Sequence, residues 1–129
     1  MREYTFLSRD FPHGEPDSTK VQSLIAIVQD SELDHEDLWI ISDAEGLQIM
    51  TAALQGAGRG WNRDAMSRSK AESAVKGFFS FFQPIRALYT NSDKQSWLPL
   101  YESNRFIYSD LLIAVSDRRA GLLCIQEND

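Results

Sequence analysis

The sequence predicts an α+β fold: a small, mostly antiparallel sheet with about three helices packed on one of its faces. Three observations predict it. Apolar and polar residues alternate near the start of the chain, as in a half-buried strand. Three later segments repeat apolar residues at the helical period. Two short apolar runs near the end are separated by a polar turn, the pattern of an antiparallel hairpin. The alternative is a mostly α fold, with 106–118 read as a further helix. The 129 residues are read as one domain, 1–129. A chain of this size buries roughly two-thirds of its unfolded surface, so it needs no disulfide or metal as a staple.

Each element has its own local reason. Residues 3–11 place Tyr4 and Phe6 on one face and Thr5 and Leu7 on the other, as in a strand. Two prolines and a glycine then make 11–17 a loop, and Asp17 or Ser18 is placed to cap a helix. Val21, Leu24, Ile25 and Val28 form one stripe of a helix over 18–30. The wholly apolar 38–41 reads as a buried strand. Ser42 and Glu45 form a capping box that opens a helix over 44–55, with Leu47, Met50 and Leu54 on its stripe and Ala53 beside it.

The strongest helix lies over 64–83, where Ala71, Ala74, Val75, Phe78, Phe79 and Phe82 share a face until Pro84 breaks it. Phe81 points away from that stripe, toward another layer, a subunit or a pocket. Residues 85–89 extend the helix by a last turn, and 91–104 is a polar loop holding Trp97 and Pro99. Residues 106–108 and 111–115 are strand-like, 117–121 turns the chain, and 122–125 returns beside them.

Charge is unevenly distributed. The net charge is −6. Residues 1–58 carry three basic and eleven acidic side chains, and residues 59–129 carry ten basic and eight acidic. Asp30, Glu32, Asp34, Glu36 and Asp37 crowd five carboxylates into eight residues. Such a run is either a solvated face or a landing patch for a basic partner. It is no calcium loop, because His35 occupies the position of the sharp-turn glycine and Ile41 that of the final glutamate. The acidic balance argues against nucleic-acid binding. The longest apolar runs are too short to span a bilayer, and the start shows no apolar signal region. A single cysteine, Cys124, permits no internal disulfide and points to a reducing, cytoplasmic address.

The chemistry-bearing residues are sparse. His13 sits in the Pro/Gly loop and His35 within the acidic run, so both read as surface histidines. Cys124 is flanked by Leu123 and Ile125 and reads as a core residue. There is no nucleophile elbow, phosphate loop or zinc spacing. The glycines at 56, 58 and 60 follow a helix, whereas a dinucleotide turn follows a strand. No cofactor, no metal and no enzymatic activity are therefore expected.

Two sites remain. Asp30, Glu32, Asp34, Glu36 and Asp37 with Trp39 form a candidate partner-binding surface; Arg59, Trp61 and Arg63 form a candidate ligand or anion site. The function class expected is a small acidic protein, a monomer or homodimer, that docks on a basic protein. Its most concrete form is a bacterial immunity protein covering a toxin, most simply a nuclease. The alternative is a ligand-binding or regulatory domain built on the Arg/Trp site.

Overall fold

A computed structural model of the chain describes residues 2–28, 35–55, 66–91 and 108–127. Its elements run β1 (Arg2–Asp10), α1 (Asp17–Val28), a 3-10 turn (His35–Asp37), β2 (Trp39–Ile41), α2 (Asp43–Leu54), α3 (Arg68–Phe81), β3 (Ala87–Thr90), β4 (Tyr108–Val115) and β5 (Arg119–Glu127). The strands form one antiparallel sheet in the order β1-β5-β4-β3-β2. The α+β reading holds, and the mostly α alternative does not: the described part of 106–118 is strand and hairpin turn.

The helices lie on both faces of the sheet, not one. Leu111, Ile113 and Val115 of β4 pack with Leu122 and Cys124 against Val21, Leu24 and Ile25 of α1. Leu112 and Ala114, the alternate residues, pack with Ile125 against α2 and α3. All five residues of 111–115 are fully buried. Such a run needs cover on both faces, because successive side chains of a strand point to opposite sides.

The element boundaries follow local chemistry. Neither Asp17 nor Ser18 caps α1. The Pro16 carbonyl accepts from the Lys20 amide, and the Asp17 carboxylate is taken by Arg86. The capping box of α2 forms as read: Ser42 Oγ accepts from Glu45 N–H at 3.1 Å, and Glu45 accepts from Ser42 N–H at 3.0 Å. Helix α3 opens later than expected, at an N-cap on Ser67, and its stripe omits Ala74, which is exposed. Residues 87–90 are strand, not a last helical turn. Leu88 and Thr90 face the α2/α3 side, where extended backbone lets alternate residues enter the core.

The β4–β5 turn is tighter than 117–121. Ser116 N–H donates to the Arg119 carbonyl at 2.8 Å, leaving Gly121 inside the strand. There Gly121 serves packing: a Cβ at this position would come 1.8 Å from the Phe82 ring. The register aligns Ser8, Gly121 and Ala114 in one row, and small residues in that row leave room for the ring. Phe81 packs edge-on against Phe6 and Phe82 and lies under the Arg119 guanidinium. The expected loop at 91–104, apart from Asn91, lies outside the described residues.

Candidate partner-binding edge

The candidate site is built on the short edge strand β2 and the turn before it. Leu38 anchors one end of the segment in the core on the α1 side, and Ile41 anchors the other in the core under α2 and α3. Between them Trp39 and Ile40 are 45% and 67% exposed. The segment is therefore no buried strand. An edge strand has a neighbour on one side only, so its apolar residues stay open unless a helix overhangs them. Trp39 lies opposite Thr90 and Ile40 opposite Tyr89 of β3. Tyr89 is half-buried, and burial pushes its phenol above the usual value.

Glu36 and Asp37 are exposed on the 3-10 turn, which packs beside α1. Two members of the acidic run thus lie exposed just before the core-anchored Leu38 and the two exposed apolar side chains that follow it. Asp30, Glu32 and Asp34 lie outside the described residues, as do Arg59, Trp61 and Arg63 of the second candidate site. Among the described residues, a cleft between α2 and α3 is lined by residues that include Thr51, Gln55, Arg68 and Glu72, with a volume of about 330 Å³. The Thr51 hydroxyl is buried there and has no hydrogen-bond partner among the described residues.

The densest charged cluster among the described residues was not legible from the spacing of its members. It joins residues from four separate segments at the end of the sheet beside the β4–β5 turn. Lys20, fully buried, donates to the carbonyls of Ser116 and Asp117 at 3.0 and 2.6 Å and lies 3.7 Å from the Asp17 carboxylate. Arg86 binds Asp17 through two nitrogens, which raises its already high pKa. His13 Nδ1 lies 2.9 Å from Asp117, and chiefly that hydrogen bond holds the Asp117 carboxyl below the ordinary carboxylate range. Each charged group has a protein partner, and the Lys20 ammonium is sealed from solvent. The arrangement ties the hairpin turn to α1. It offers no free base or nucleophile.

Cys124 is buried in the core on the α1 side, as expected. Among the described residues, no group of histidine, cysteine and carboxylate side chains is placed to hold a metal ion, and no helix is long and apolar enough to cross a membrane. No protein-family model, curated protein or solved structure matches the chain.

Proposed function

We propose that this chain is an acidic binding protein that docks on a basic protein through the β2 edge and blocks it, in the manner of a bacterial immunity protein covering a nuclease toxin. One observation carries the reading: Trp39 and Ile40 stand exposed on an edge strand, separated by one residue, Leu38, from the exposed carboxylates of Glu36 and Asp37. Trp39 and Ile40 point to opposite faces of the strand, so a partner that straddles the edge meets an aromatic anchor on one face and an aliphatic one on the other, with carboxylates at the rim. The carboxylates steer a basic partner, and the apolar pair holds it.

The test is growth rescue, by co-expression, of cells making a candidate basic nuclease toxin, followed by stopped-flow association with that toxin. Changing Asp30, Glu32, Asp34, Glu36 and Asp37 to amides slows association about tenfold at low salt and flattens its salt dependence. Trp39→Ala instead speeds dissociation. Rescue and kinetics unchanged in both variants would place the interface elsewhere.

One observation favours a second reading, the ligand-binding domain. The buried Thr51 hydroxyl, without a hydrogen-bond partner among the described residues, lines a cleft that also holds Arg68. A nucleotide or organic anion that raises the melting temperature of the wild type but not of Arg68→Gln supports it.

A further inference from the structure

We propose that two copies of this chain pair edge to edge through β1, in antiparallel register centred on Phe6, to form one ten-stranded sheet. Among the described residues, no strand lies on the outer side of β1. The edge is long and regular: nine residues without proline, paired to β5 in unbroken register without a bulge. Natural edge strands are usually shortened, bulged or interrupted to prevent pairing with another chain. At the opposite edge β2 is only three residues long.

The sequence of β1 commits this edge to a copy of itself. It reads Arg-Glu-Tyr-Thr-Phe-Leu-Ser-Arg-Asp, with charges of opposite sign at mirrored positions. In a two-fold antiparallel pair centred on Phe6, Arg2 falls opposite Asp10 and Glu3 opposite Arg9. The two-fold repeats both pairings, giving four opposite-charge positions across the seam. Sliding the register by two residues, the smallest slip that keeps each face on its own side, destroys the match. Arg2 then meets Ser8 and Glu3 meets Leu7, or Asp10 meets Tyr4 and Arg9 meets Thr5. Asp10 is 83% exposed despite its bond to Arg119, so it remains open to a second cation.

The centre of the seam is apolar. Phe6 is 50% exposed and Phe81, 5.9 Å away between ring centroids, is 48% exposed. The two-fold sets Phe6 against Phe6 of the second copy and joins the two aromatic patches on the α2/α3 side of a continuous sheet. The pairing leaves both β2 edges open, so it stands independently of the partner reading.

Sedimentation velocity of the full chain tests the proposal, with circular dichroism checking that each variant is folded. The wild type sediments as a dimer. Glu3→Arg and Arg9→Glu each set like charges opposite one another at two places and raise the dimer dissociation constant about tenfold. The double swap restores the opposite-sign pairs and returns the constant to within about threefold of wild type. A monomer at about 100 μM, or a double variant no better than the singles, overturns the proposal. Cross-linking reads the register separately. Phe6→Cys joins two copies under mild oxidation because position 6 faces itself, whereas Ser8→Cys does not; the reverse result overturns the register.

Discussion

Gly121 shows how one missing side chain organises a core. Its strand runs beneath Phe82, which is 1% exposed, and a methyl group there would overlap the ring. Gly121→Ala is expected to cost about 1–3 kcal/mol as Phe82 is forced from its place. Phe82→Ala costs about 3–5 kcal/mol through the cavity it leaves. In the Phe82→Ala background the alanine at 121 no longer has a ring to displace, so its cost falls well below the single-variant value. Urea unfolding of the four proteins checks this cycle. The sequence marks Phe82 as core through its helical spacing, yet Gly121 reads there as a turn residue. A glycine's role as a space-maker depends on a side chain 39 positions away in the chain, and no local pattern encodes that.

At the scale of elements, the local signals carried well where one segment's own periodicity decides the outcome. The capping box at Ser42 and Glu45, the stripe of Val21, Leu24 and Ile25, and the break at Pro84 all act within one or two turns of backbone. Residues 85–89 depart from the expected helical turn because a proline ends a helix without specifying the next element. The alternation that makes 87–90 a strand becomes meaningful only beside β4. The fully apolar 111–115 held a signal that could have revealed helices on both faces, since a strand covered on one side alternates with polar residues.

Between elements, Lys20 is the link that spacing alone could not announce. It joins α1 to the β4–β5 turn through two carbonyl oxygens. Lys20→Met keeps the volume and strips those carbonyls of their donors. An expected loss of about 1–3 kcal/mol in urea unfolding checks it. A change near zero would mean that water replaces the ammonium.

At the scale of the whole molecule, charge and sheet order act together. Asp17 with Arg86 and Asp10 with Arg119 pair first-half carboxylates with second-half cations, so part of the acidic excess is neutralised by folding itself. Asp117 joins His13 to this scheme, and its folded pKa lies below its unfolded one. The stabilisation it supplies is therefore present above the unfolded value and is lost as pH falls through the folded one. Thermal melts from pH 6 to about pH 2 should show a shallower acid-side loss of melting temperature in Asp117→Asn than in wild type, with little difference between them below the folded value. Asp117 is half exposed, so the difference is small and shrinks with added salt.

The sequence by itself determined the fold class, most helices and strands, the core role of Cys124 and the concentration of acid ahead of Trp39, because each rests on spacing or composition within a short window. Only the tertiary structure decided that helices cover both faces, that Trp39 and Ile40 stand open, and that β1 and β2 are the outer strands of the sheet among the described residues. Exposure is a property of neighbours. A side chain's neighbours across a sheet come from distant parts of the chain, and the order in which strands pair sets which of them remain uncovered.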